Sequence, residues 1–158
     1  MRRTAAFVIA GILFVTGTIG VAVATGSRLA EEEQFTLYSE TLRFGSVDVP
    51  PRGFSLGDQD IVLDMLWSDA AKTIAAGRDR VVSEWLHRSH AMVQVEYSID
   101  GRGKLFAAGT LNFSEAFLES GDDLAIVGGT GEFENVHGSV HLSVFDPETF
   151  QNDIHLLP

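Results

Sequence analysis

The sequence holds no cysteine and so no thiolate nucleophile or thiolate metal ligand, which turns attention to carboxylates, imidazoles and aromatic side chains with polar tips. Asp64, Glu84 and Glu96 fall inside apolar runs that read as strands. A carboxyl group turned toward a dry interior holds its proton more tightly and becomes a general acid or base near neutral pH. Glu84 is the expected acid or base of this set, with Asp64 and Glu96 as expected substrate contacts. Tyr38, Trp67, Trp85 and Tyr97 are amphipathic rings that can line an apolar cavity and orient a ligand through their polar tips. His141 and His155 have no carboxylate partner at ligand spacing in the sequence, and the "HRSH" run at 87–90 sits at a turn, so no metal is expected. Nor does any motif support a Ser/His/Asp nucleophile.

The run "LAIVGGTG" at 124–131 raises the question of a phosphate loop. A dinucleotide loop needs Gly-x-Gly-x-x-Gly between a strand and a helix, within a βαβ unit of about 30 residues. Gly129-Thr130-Gly131 supplies the first half, but Glu134 stands at the third position, where its carboxylate would face the phosphates. The segment "SVHLSVF" at 139–145 alternates as a strand and does not open a helix. No lysine follows the glycines, which excludes the Gly-Lys-Ser/Thr loop as well. Gly128, Gly129 and Gly131 read instead as a chain reversal with positive φ, pinned by Phe133.

The elements that must position these residues are short runs rich in Val, Leu, Ile, Phe and Thr, broken by Gly, Pro and Asp. They predict strands near 35–44, 60–68, 79–88, 91–99, 103–113, 123–128, 137–145 and 150–157. Asp100-Gly101 between two such runs marks a tight hairpin. The sole helical stripe after residue 30 lies at 69–76. So many strand edges are hidden most simply by closure, which gives an all-β fold: a single eight-stranded antiparallel β-barrel over 35–158. In 61–68 the odd positions Ile61, Leu63, Met65 and Trp67 form a wholly apolar face opposite Asp64. In 91–99, Val93, Val95, Tyr97 and Ile99 oppose Met92, Gln94, Glu96 and Ser98, and 81–88 is mixed on both faces. Alternation groups side chains without saying which group looks inward. An eight-stranded barrel is just wide enough for packed side chains or one small ligand, so a lumen above about 300 Å³ would mean ligand binding. A lumen filled by Trp67, Trp85 and Phe side chains would mean a structural barrel.

"LAIVGGTGEFENVHGSVHL" resembles the signature of the allene oxide cyclase and dirigent barrel families, in which an apolar strand leads into Gly-Gly-Thr/Ser-Gly-x-Phe and a further Gly opens the next strand. "GFSLGDQDIVLDMLW" and "VEYSIDGRGKLFAAGTLNFSE" are similar to those families' entry to the second strand and central hairpin. The resemblance covers about 35–157 and implies a calycin-type barrel with an apolar lumen, commonly a homo-oligomer, a dimer or trimer. It implies that a hydrophobic small molecule is held in a folded conformer, so that confinement removes the entropic part of the barrier to cyclisation. It also places a catalytic carboxylate on the first strand, where Glu40 is the sole acid of "FTLYSETLRFG", and puts His137 near the lumen or its rim as a proton-exchanging group. The families' Glu-x-Asn spacing is absent, since Leu42 stands two residues after Glu40. That departure favours other substrates, including polyketide cycloadditions in natural-product pathways, at least as much as an allene oxide. No cofactor is implied. The competing reading is a non-catalytic dirigent-like guide or a carrier of an apolar ligand.

Residues 1–24 place Arg2 and Arg3 ahead of a long apolar run ending in Ala22-Val23-Ala24, the pattern of an export signal or, uncleaved, a membrane anchor. Residues 25–34 are polar and acidic, an expected linker or lid. With two arginines in the leader, the nine remaining basic residues face 22 acids, a net charge of −13. Such a surface disfavours nucleic acid and anionic lipid as partners. An expected secreted or extracytoplasmic protein without cysteine must be held together by packing and hydrogen bonds alone.

Overall fold

A computed structural model describes residues 31–157 of the chain. The leader at 1–24 and most of the acidic arm lie outside the described residues. Eight strands follow in order: β1 (Glu33–Val47), β2 (Gln59–Trp67), β3 (Ala75–His87), β4 (His90–Ile99), β5 (Gly103–Asn112), β6 (Asp122–Gly129), β7 (His137–Asp146) and β8 (Thr149–Leu157), with one short helix, α1 (Glu115–Ser120), between β5 and β6. Each strand pairs antiparallel with the next, and β8 pairs back onto β1 from Glu33↔Leu156 to Glu40↔Thr149. The barrel closes, so every edge finds a partner. Glu33 and Gln34, expected in the arm, are the first residues of β1.

The expected helical stripe at 69–76 is a turn followed by the start of β3. The Asp69 carboxylate accepts from the backbone N–H groups of Thr73 and Ile74 at 3.0 and 2.7 Å, which closes the chain on itself before a helix can propagate. The helix that does form, α1, carries Phe117 into the core at 5.1 Å from the ring of Phe113.

The glycine cluster caps one end of the barrel. The amides of Thr130 and Glu132 donate to the carbonyls of Lys104 and Arg102, which lays the β6–β7 connection across the β4–β5 hairpin. Gly131 takes φ +69°, and a Cβ on Gly129 would stand 2.5 Å from Phe133. Gly129 therefore needs space rather than positive φ, unlike its neighbours. Phe133 is fully buried 6.5 Å from Phe35, and the Arg102 guanidinium covers both rings at 4.7 and 5.1 Å.

Candidate active site in the barrel lumen

Strand parity decides what the lumen contains. Ser39 and Thr41 of β1, Asp60, Val62 and Asp64 of β2, and Asp79, Val81, Ser83 and Trp85 of β3 point inward. Val93, Val95 and Tyr97 of β4, Leu111, Leu142, Phe150 and Asn152 complete the wall. Together they enclose a cavity of about 360 Å³. A bulge between Thr41 and Arg43 reverses the parity of β1, so that Phe44 joins the lining beyond it. The long β1–β2 connection is fixed on β3 by Gly57 N–H to the Trp85 carbonyl and Trp85 N–H to the Asp58 carbonyl.

Besides Thr41, Asp60 and Ser83, the polar part of the wall is one connected set of groups. Asp64 and Asp79 are direct register partners on β2 and β3, and only 3% and 4% exposed. From the far side comes a chain of hydrogen bonds with a fixed direction. The Tyr97 hydroxyl donates to Asn152 Oδ1 at 2.8 Å, Asn152 Nδ2 donates to Ser39 Oγ at 2.9 Å, and Ser39 Oγ donates to Asp79 Oδ2 at 2.6 Å. Since Oδ2 accepts, the proton of Asp79 belongs on Oδ1. Oδ1 of Asp79 and Oδ1 of Asp64 have no other donor among the described residues. A proton held between the two carboxyls satisfies both. Burial, and then the charge of Asp64, drive the Asp79 carboxyl well above its ordinary range; burial also raises Asp64, opposed by hydrogen bonds from Asp79 and Thr41. Two carboxylates this close and this dry cannot both ionise readily, so the pair is stable with a single negative charge. Burial and the same two acids raise Tyr97, which stays a neutral phenol.

This arrangement can donate a proton or a strong hydrogen bond from Asp79, accept a proton at Asp64, and hold a substrate away from water. Near one end, Trp85 donates from Nε1 to Asp60 Oδ2 at 2.8 Å and stands 5.5 Å from Phe113.

Of the residues singled out from sequence, the fold brings Asp64, Trp85 and Tyr97 together on the lumen. The others stand elsewhere. Glu40 and Trp67 are register neighbours of the inward set and so face outward, where Trp67 Nε1 donates to Glu40 Oε2 at 3.1 Å and Lys72 bonds Glu40 Oε1 at 3.1 Å. Tyr38 lies on the same outer face, edge-on to Phe145 at 5.0 Å. Glu96 is outside, paired with Arg80 and Lys104 at 3.0 and 2.6 Å. Glu84 alternates out of phase with Ser83 and Trp85 and does not line the cavity. His137, expected near the lumen or its rim, is exposed at the start of β7, beside the capped end. His141 and His155 each meet a carboxylate, Asp123 at 2.8 Å and Glu32 at 2.7 Å, and no group of three metal-ligating side chains exists among the described residues.

Sequence reasoning missed Asp79, Ser39 and Asn152. Each had a signal: Asp79 is in phase with Val81 and Trp85, Ser39 with Leu37, and Asn152 with Ile154 and Leu156. A polar residue in phase with buried apolar ones is the mark of a group turned into the core.

No family model matches the chain, and no curated protein matches it. Solved structures do. A pyocyanin demethylase superposes with a TM-score of 0.64 at 23% identity, over 78% of this chain and 99% of that one. AbnU, an exo-specific intermolecular Diels-Alderase, gives 0.60 at 14% identity over 79% and 97%. The Diels-Alderase AbmU from Streptomyces koyangensis gives 0.59 at 15% identity over 81% and 68%. At these identities the likeness establishes architecture: the chain has the eight-stranded barrel fold found in these cyclases and in the demethylase.

Proposed function

We propose that this barrel binds a hydrophobic small molecule in its lumen and guides its cyclisation or another stereoselective reaction, with no cofactor. One observation carries the reading: a largely apolar cavity of 360 Å³ in whose wall two buried, register-paired aspartates, Asp64 and Asp79, stand at the end of a hydrogen-bond chain. The volume falls in the range of small-molecule sites, about 300–1,000 Å³. In such a site Asp79 Oδ1–H turns from Asp64 to a substrate carbonyl and polarises it, the Asp64 carboxylate so freed takes a proton where one is released, and Tyr97, Asn152 and Ser39 hold Asp79 in place. The wall from Val81 to Phe150 selects a folded conformer. The allene oxide cyclase and dirigent resemblance and the Diels-Alderase neighbours support a pericyclic closure, with the oxylipin substrate disfavoured by the missing Glu-x-Asn. The apolar leader supports an extracytoplasmic location. The outward apolar residues Leu42, Ile61 and Leu63 support a homo-oligomer, a dimer or trimer.

The test is a panel of linear triene-enones, half of them bearing a dimethylamino group, incubated with the wild-type chain and with Asp79→Asn. Product enantiomeric excess is read by chiral chromatography. An excess in the wild type that the variant loses supports catalysis. Racemic product at the uncatalysed rate throughout, with N-phenyl-1-naphthylamine still binding the lumen, makes the protein a carrier of an apolar ligand instead.

A further inference from the structure

The lumen is charged on one side of the ledger only. Three acids line it, Asp60, Asp64 and Asp79, and no Lys, Arg or His does among the described residues. The nearby base Arg88 is occupied outside the cavity, 5.8 Å over the ring of Phe54. Arg43, Arg78 and Arg80 flank the acid pair in sequence but alternate to the outer surface, where Arg80 meets Glu96. The groups that face the pair from the other strands are Ser39 and Thr41 of β1, Tyr97 of β4 and Asn152 of β8, none of them cationic. Oδ1 of Asp64 and Oδ1 of Asp79 are buried on register partners and have no hydrogen-bond donor among the described residues, which leaves the site short of positive charge.

We infer that the lumen takes an apolar, ring-bearing ligand with a cationic nitrogen, and rejects carboxylates. This rests on the lumen being the binding site, as proposed above. Bringing an anion beside Asp64 adds like charge in a medium of low dielectric, where repulsion is far stronger than in water. A cation there converts the shared-proton pair into two carboxylates facing one positive charge, and the displaced proton leaves to solvent. The rings of Trp85, Phe113 and Phe150, which line the same cavity, bury the ligand's apolar part. The same logic places the nitrogen at the Asp64–Asp79 end and the hydrocarbon toward Trp85.

Three tricyclic probes of matched size separate the alternatives: 9-aminoacridine as cation, 9-anthracenemethanol as neutral form and 9-anthracenecarboxylate as anion. Each is titrated calorimetrically at pH 7 into the full chain in two buffers of different ionisation enthalpy. The expected result is that the cation binds at least tenfold more tightly than the neutral probe and the anion more weakly than it. Cation binding should release close to one proton, and neutral binding none. Asp64→Asn and Asp79→Asn, each an amide of the same shape with its fold checked by circular dichroism, should bring the cation preference below threefold while the neutral probe still binds. Because the whole chain is acidic, the preference is measured again at 0.5 M salt, where attraction between exposed charges is screened. Equal affinities, tightest binding of the anion, cation binding without proton release, or a preference that vanishes in salt would each overturn the inference and leave the lumen reading intact. Failure of all three probes to bind would overturn both.

Discussion

Replacing Asp79 by Asn should make the empty protein more stable above about pH 5, and the size of the effect follows from linkage. The Asp79 carboxyl is raised in the folded chain, first by burial and then by the charge of Asp64. In the unfolded chain it titrates near its ordinary value, about 3.9. The folded state therefore binds this proton more tightly than the unfolded state, and the stabilisation is complete below about pH 4. It is lost as pH rises toward the folded-state value, at about 1.4 kcal/mol per pH unit while the two states differ by one proton. For a domain of this length that slope corresponds to roughly 4–6 °C in Tm per pH unit. Exposed acids with lowered values, such as Glu96 and Asp146, act in the opposite sense, but only as pH falls through the carboxylate range. Tyr97, Lys72 and Arg102, all raised, act at the alkaline end.

An asparagine at 79 reproduces the protonated state permanently. Its Oδ1 can accept from Ser39 as Oδ2 now does, and its Nδ2 can donate to Asp64. The variant should show a nearly flat Tm between pH 5 and 8, against a falling one for the wild type, with the gap widening by no more than the slope above. The assay is differential scanning calorimetry of both proteins in one buffer series, and the difference between them removes every group they share. Parallel profiles, or a wild-type Tm that rises over this range, would show that Asp64 and Asp79 are both ionised in the fold and that the shared proton does not exist. A side chain whose removal stabilises the fold is retained for something other than stability, which is why this experiment bears on function.

Tyr97→Phe deletes the donor to Asn152 Oδ1 and leaves a buried acceptor without a partner. It should cost about 1–3 kcal/mol in urea unfolding. Gly138→Ala forces a Cβ against the carbonyl of His155 at φ +148°, so a loss of at least about 2 kcal/mol is expected, measured by the denaturation midpoint. Glu40→Gln should leave N-phenyl-1-naphthylamine binding within about twofold of wild type, because its carboxylate is tied to Lys72 and Trp67 on the outer surface. A tenfold loss by fluorescence titration would mean that the ligand site extends outside the barrel.

The strands were legible because their punctuation is chemical: Asp100-Gly101, the Gly128–Gly131 cluster and the proline-rich β1–β2 connection each break a run of β-forming residues where the barrel turns. Closure followed from the number of edges that needed hiding. Sidedness was not legible, and β2 shows why. Its odd positions, Ile61, Leu63, Met65 and Trp67, form a wholly apolar face that would be assigned to the core of any filled barrel, yet they look outward. The even positions, with Asp60 and Asp64, look in. In β2 the acids line the lumen and the apolar face is left for another surface, whereas β4 turns Val93, Val95 and Tyr97 inward and Glu96 outward.

The same inversion explains which acids were singled out from sequence and which were passed over. Glu40, Glu84 and Glu96 stand in apolar runs, but they alternate against the inward residues, and the ion pairs of Glu40 and Glu96 are made with cations on the outer surface. Asp79 sits at the edge of the expected third strand, where its phase with Val81 and Trp85 is read only once β3 is known to start at Ala75. Its meaning then depends on a partner 15 positions earlier, because Asp64 and Asp79 are unremarkable singly and become a proton-sharing pair only through the β2–β3 register. A one-residue slip of that register would send one acid to solvent, release the proton and remove the charge asymmetry of the lumen. The register of a single hairpin thus determines whether the lumen holds a pair of buried acids, and no residue read alone carries that information.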